Sequence, residues 1–114
     1  MMEKEIYRRC CDFAIKVIKF ARKINLDLSS KIILDQLIRS VTSIGANLAE
    51  GSAAVSKKEF VNYVGIARKS AVETNHWLKI LSQLIDNEEI KKFIDESQQI
   101  VNILSKIVIN SKKR

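Results

Sequence analysis

The amino-acid sequence predicts an all-α protein: an antiparallel up-down-up-down four-helix bundle, left-handed, with short loops. Three observations lead there. The 114 residues contain no proline and only three glycines, Gly45, Gly51 and Gly65, so little in the chain interrupts a helix. Apolar residues recur at alternating steps of four and three through long stretches, the period of a helix with one buried seam. Capping signals divide those stretches into four, with only a few residues between them. Helices of roughly 20 to 30 residues joined by such loops must run antiparallel to their neighbours, and 3.5-residue seams favour crossings near about +20°. One domain, residues 1–114, is all that a chain of this length forms around a single core.

The first helix is expected over about residues 3–24. Ile6, Cys10, Phe13, Val17, Phe20 and Ile24 make its seam, Tyr7, Cys11, Ala14, Ile18 and Ala21 widen it, and Arg9, Asp12, Lys16, Lys19 and Lys23 line the other side. Asn25 to Leu28 break the pattern. Ser29 then reads as an N-cap, with Leu28 and Ile33 at the spacing of a hydrophobic staple. The second helix, about 29–50, carries Ile33, Leu37, Val41, Ile44 and Leu48 on one side. Gln36, Ser40, Ser43, Asn47 and Glu50 form a second, narrow polar stripe. Small side chains let another backbone approach closely, so this helix is expected to pack on more than one side, and Gly51 reads as its left-handed stop.

Ser56-Lys57-Lys58-Glu59 is a capping box, flanked by Val55 and Phe60 at staple spacing, and starts a third helix over about 56–85. Its seam is Phe60, Val64, Ala67, Ala71, Thr74, Leu78, Leu81 and Ile85. Asp86, with Glu89 three residues on and Ile85 and Ile90 as staple, marks the start of a fourth helix over about 87–110. Ile90, Phe93, Ile94, Ile100, Val101, Ile103, Leu104, Ile107 and Val108 give it a broad apolar face, interrupted at Ser97. A basic tail, residues 111–114, follows. The apolar surplus of the first and fourth helices, with the second stripe of the second, points to subunit contact.

Chemistry is constrained mostly by exclusion. No apolar run approaches the ~18 residues of a membrane span, and the N-terminus opens charged, so the expected location is the cytoplasm. The two cysteines, Cys10 and Cys11, are adjacent and diverge by about 100° on a helix, so buried thiols are expected rather than a disulfide. His76 is the sole histidine and has no Asp, Glu or Cys at four residues either way; no metal, cofactor or triad is expected. Glycine-rich phosphate loops are missing too. Trp77, beside the third seam, fits core or interface better than base stacking.

A net charge of +7 is the global hint about partners. Residues 1–25 hold seven Lys and Arg against three acids, whereas 26–55 hold two against three. Candidate nucleic-acid contacts are Arg8, Arg9, Lys16, Lys19, Arg22 and Lys23 on the first helix, Lys57, Lys58, Arg68, Lys69 and Lys79 on the third, and Lys112, Lys113 and Arg114 in the tail. Contacts from such residues go mainly to phosphates and do not read bases.

Arg39 to Gly51, followed by Ser56, Lys57, Phe60, Ala67, Glu73, Thr74, Trp77 and Leu78, resembles the four-helix-bundle proteins encoded by intervening sequences within bacterial 23S ribosomal RNA genes. The similarity is specific over about residues 37–81. Many members carry a proline before helix two, where this chain has Asn25-Leu26-Asp27-Leu28. The resemblance implies a homopentamer related to the accessory protein of diversity-generating retroelements, a basic barrel that binds nucleic acid and polymerase. Implied partners are therefore a second copy of the chain, RNA or the ribosome, or another protein.

If helices two and three fold back near Ala53 and Ala54, residues whose numbers sum to about 107 lie level. On that register Glu50 faces Lys57, and an Arg39–Glu73 pair holds the two helices. Arg39, Ser43, Asn47, Glu50 and Glu73 are therefore expected to form a structural polar network or a subunit contact. The same rule separates Glu50 from Glu73 by about 20 Å along the helix axis, too far for a joint acid–base role. The expected function is a non-enzymatic oligomeric module that binds RNA or a ribonucleoprotein, with a protein-interaction scaffold as the alternative.

Overall fold

A computed structural model describes residues 4–113. Among them the regular structure is four helices, α1 (Lys4–Lys23), α2 (Leu28–Ser52), α3 (Lys57–Leu84) and α4 (Glu88–Lys112). They form an all-α four-helix bundle measuring 47 × 21 × 20 Å. The antiparallel sense of the central pairs is visible in their cross-links. Ser40 and Ser43 of α2 bond Thr74 and Ser70 of α3, while Arg68 and Asn75 of α3 bond Ser105 and Ser97 of α4.

The seams close into one core. Ile6, Cys10, Phe13, Val17 and Phe20 meet Leu37, Val41, Ile44 and Leu48, Val64, Ala67, Ala71, Leu78 and Leu81, and Ile90, Phe93, Ile100 and Leu104, all buried. Phe93 is the hub between α1 and α4, with Phe13 and Phe20 both edge-on to it at centroid distances of 5.9 and 5.6 Å. Burying a large apolar side chain contributes about 1.5–3 kcal/mol, so this seam rather than helix propensity holds the bundle. No helix of the described residues is long and apolar enough to cross a membrane.

The ends of the helices differ from the sequence expectation in instructive ways. Ser56 does cap α3, accepting from the Glu59 N–H at 3.1 Å. Asp27, not Ser29, caps α2, accepting from the Ser30 N–H at 2.8 Å; that bond to the charged form holds its carboxyl below the usual range. Asn87, not Asp86, caps α4 through the Glu89 N–H. Leu28 is 76% and Val55 92% exposed, so neither makes the staple its spacing suggested. Gly51 does not stop α2. The helix runs through it to Ser52, and no glycine of the described residues has positive φ. Gly51 is instead a point of close approach, where a Cβ would sit 3.3 Å from the Cβ of Tyr63 on α3.

The register between α2 and α3 also differs. Ser40 with Thr74 and Ser43 with Ser70 sum to about 114 rather than 107. A shift of seven residues is two helical turns and returns each residue to the same face, which is why the seam survives the error.

Candidate nucleic-acid interface

The middle of the polar stripe of α2, Ser40, Ser43 and Asn47, is engaged inside the chain. Ser40 is buried; its hydroxyl donates to the Leu37 carbonyl and accepts from the Thr74 hydroxyl at 2.9 Å. Ser43 lies 3.0 Å from the Ser70 hydroxyl and receives the Asn47 amide. The stripe therefore packs against α3 and does not by itself call for a second subunit. Arg39 does not pair with Glu73. It donates to Asp35 one turn back at 3.1 Å, and Glu73 receives the Trp77 indole at 3.4 Å. Both Arg39 and Glu73 are exposed, as is Glu50. On the observed register Glu50 is level with Val64, nine residues or about 14 Å from Glu73, so a carboxylate pair is still out of reach.

The first-helix cations fall into two groups. Arg9 is a brace between α1 and α4, donating through Nε and Nη2 to both carboxylate oxygens of Glu96 at 2.7 Å and to Gln99 at 2.7 Å. Glu96 raises its pKa further. Arg8 and Lys16 line the groove between the two helices with Arg9 and Lys92, but Glu5, Asp12, Glu89 and Glu96 line it too. Four cations against four carboxylates make that groove neutral overall. Lys19, Arg22 and Lys23 are exposed beyond it.

The groove between α3 and α4 is different in kind. It has a volume of about 610 Å³ and is lined by Val61, Asn62, Gly65, Ile66, Arg68, Lys69, Ser105, Val108, Ile109 and Lys112. Among the described residues that line it there are three cations and no carboxylate. Helical periodicity explains the convergence. Arg68 and Lys69 lie a turn beyond Gly65 on α3, and antiparallel pairing at a sum near 173, set by Arg68 with Ser105, brings Lys112 opposite Val61. Arg68 donates from Nε to the Ser105 hydroxyl at 2.7 Å, and that hydroxyl donates on to the Val101 carbonyl, which orients the guanidinium along the groove wall. Asn62 and Ser105 add neutral polar groups. Among the described lining residues there is no aromatic ring, so base stacking has no platform here, while phosphate contact does.

Of the sequence candidates, the fold brings Arg68, Lys69 and Lys112 together and leaves Lys58, Lys79 and Lys113 exposed elsewhere; Lys57 is at the start of α3 and is engaged in an interaction of its own. Arg114 lies outside the described residues. Asn62, Gly65 and Ser105 are not among the site residues expected from sequence. The available signal was Gly65, a glycine inside a helical pattern. Cys10 is buried, which pushes its thiol up to about 12, and Cys11 is partly buried. His76 is exposed against Trp77, and no group of three potential metal ligands exists among the described residues.

Comparison with known proteins gives a consistent family. The family model described as 23S rRNA-intervening sequence protein matches residues 2–106. Among solved structures, a protein of unknown function from the S23 ribosomal protein family of Bacteroides thetaiotaomicron is 28% identical, with a TM-score of 0.78. The match covers 90% of this chain and 97% of that one. No curated protein matches the chain.

Proposed function

Since the chain belongs to the 23S rRNA-intervening sequence protein family, we propose that it is a non-catalytic, self-associating helical module that holds RNA or a ribonucleoprotein by its phosphates in the cytoplasm. The observation that carries this reading is the α3–α4 groove, where Arg68, Lys69 and Lys112 meet with no carboxylate among the described lining residues. Neutralising three phosphates of a single strand gives a log–log salt slope of about −2. The net charge of +7 adds a long-range attraction. In an assembly of five copies, the number the family resemblance implies, the total would be about +35. Exposed Ile15, Val72 and Leu84 are the apolar side chains outside the α3–α4 groove that self-association would cover.

The test is the native mass by light scattering, followed by RNA binding on the same sample across a salt series. A particle near five times 13.0 kDa whose RNA affinity falls steeply with salt is expected. A monomer indifferent to RNA would refute the proposal. One feature favours a second reading, a protein-interaction scaffold. Tyr7, Ala54, Val55 and Phe60, together with Lys4 and Lys57, line a largely apolar hollow of about 790 Å³ at the α2–α3 turn, and a partner seated there mainly on the apolar side chains would depend less on salt than RNA does.

A further inference from the structure

Gly65 has no explanation inside its own chain. It stands in the middle of a 28-residue helix, its φ is not positive, and a Cβ built on it would meet nothing within 4 Å. The other two glycines are buried against neighbours. A Cβ would lie 3.3 Å from Tyr63 at Gly51 and 3.4 Å from the Cys11 sulfur at Gly45. A helix-interior glycine is less stable than alanine, so an open one is a local fault in the folded chain taken alone. What glycine provides is a bare stretch of backbone that an outside group can reach. This stretch lines the groove in which Arg68, Lys69 and Lys112 gather.

We propose that Gly65 forms the floor of a seat for one of the three neighbouring phosphodiester groups of single-stranded RNA that Arg68, Lys69 and Lys112 neutralise. The inference rests on the reading of this groove as the RNA site. Charge disfavours an isologous contact between two copies here, because the same three cations would face each other with no carboxylate among the described lining residues, and the native mass of Gly65→Leu separates RNA from the heterologous contact a ring of five would use. A single strand suits the seat better than a duplex, because its flexible backbone can lower one phosphate onto the bare Gly65 backbone, whereas an A-form duplex holds its phosphates in a fixed array that is read by overall shape. The role is that of a close-approach point, with charge supplied by the three cations and the neutral groups of Asn62 and Ser105 beside them.

Gly65→Ala and Gly65→Leu test this, since both introduce good helix formers where the chain has space. Each is expected to melt about 4 °C higher than the parent. For Gly65→Leu, whose side chain fills the seat, the salt slope with single-stranded RNA should drop from about −2 to about −1.4. At 50 mM salt that is a loss of about eightfold if the electrostatic part vanishes near 1 M. The parent should prefer single-stranded to double-stranded RNA of the same length. If the parent binds RNA and Gly65→Leu binds it with unchanged slope, this inference fails and the broader proposal stands. Failure of the parent to bind would remove both. A native mass that falls in Gly65→Leu while RNA affinity holds would give the gap to a second copy and overturn the phosphate seat, as would equal binding of duplex.

Discussion

Asn75 is the polar pin between α3 and α4, and its removal has a calculable cost. The side chain is buried, with the amide nitrogen donating to the Ser97 hydroxyl at 2.9 Å and toward the Ile94 carbonyl at 3.3 Å. Ser97 is fully buried and itself donates to the Ile94 carbonyl at 2.8 Å. In Asn75→Ala the hydroxyl keeps its own acceptor, so no group is orphaned. The losses are one good hydrogen bond, about 1 kcal/mol, and a small void, about 1 kcal/mol, offset by about 0.5 kcal/mol of better helix propensity. The net is about 1.5 kcal/mol, or about 6 °C in Tm for a chain of this size. Ser97→Ala should cost about as much, because it leaves the Asn75 amide with only the long bond. A double-mutant cycle in urea, followed by circular dichroism at one fixed protein concentration, should return a coupling of about 1 kcal/mol. Additivity within about 0.3 kcal/mol would refute the pairing on which this reasoning rests.

Two further outcomes follow from the packing of α1. Arg9→Met should lower stability by about 1 kcal/mol, a modest figure because the Arg9 and Glu96 side chains remain 34% and 30% exposed, and the loss should shrink in high salt; an unchanged urea midpoint at low salt would remove the brace. Cys10 is held neutral by burial, with its thiol pushed up to about 12 from 9.0. The unfolded chain ionises first, so stability is full below about pH 9 and declines as pH rises toward 12, and the Cys10 thiol should resist alkylation at pH 8 until the protein unfolds. Rapid native-state labelling of Cys10 would contradict its burial.

Period-based signals carried well from sequence to structure, and signals that depend on one residue's neighbours did not. Val17, Leu37, Ile44, Leu78 and Leu104 are fully buried because a heptad fixes a face whatever the register. Caps are legible only to within two residues because Asp27 competes with Ser29, and Asn87 with Asp86, as acceptors for the same exposed amides. Gly51 misled since glycine tolerates a left-handed stop but does not require one, and here its missing Cβ serves the contact with Tyr63. Arg39 and Glu73 illustrate the deepest difficulty. Their pairing needed both the stagger of two helices and the outward direction of each side chain, and Asp35 one turn from Arg39 is a nearer partner. The α3–α4 groove was hidden for a related reason. Its cations come from residues 68, 69 and 112; counting charge by segment points to α1, where Arg8, Arg9 and Lys16 are matched by acids from α1 and α4, and to the C-terminal Lys112, Lys113 and Arg114, but not to the meeting of Lys112 with Arg68 and Lys69.

Location, rather than total charge, is the central claim, and two triple variants with the same change in net charge separate the two. Arg68→Gln/Lys69→Gln/Lys112→Gln empties the α3–α4 groove of charge, and Arg8→Gln/Lys16→Gln/Lys92→Gln does the same to the cations of the α1–α4 groove apart from Arg9. Measured by RNA titration across salt, the first should lose nearly all of a slope of about −2, and the second should keep it. Equal weakening of the two would mean that RNA responds to net charge alone, and a loss confined to the α1–α4 variant would place the site on the wrong face of the bundle.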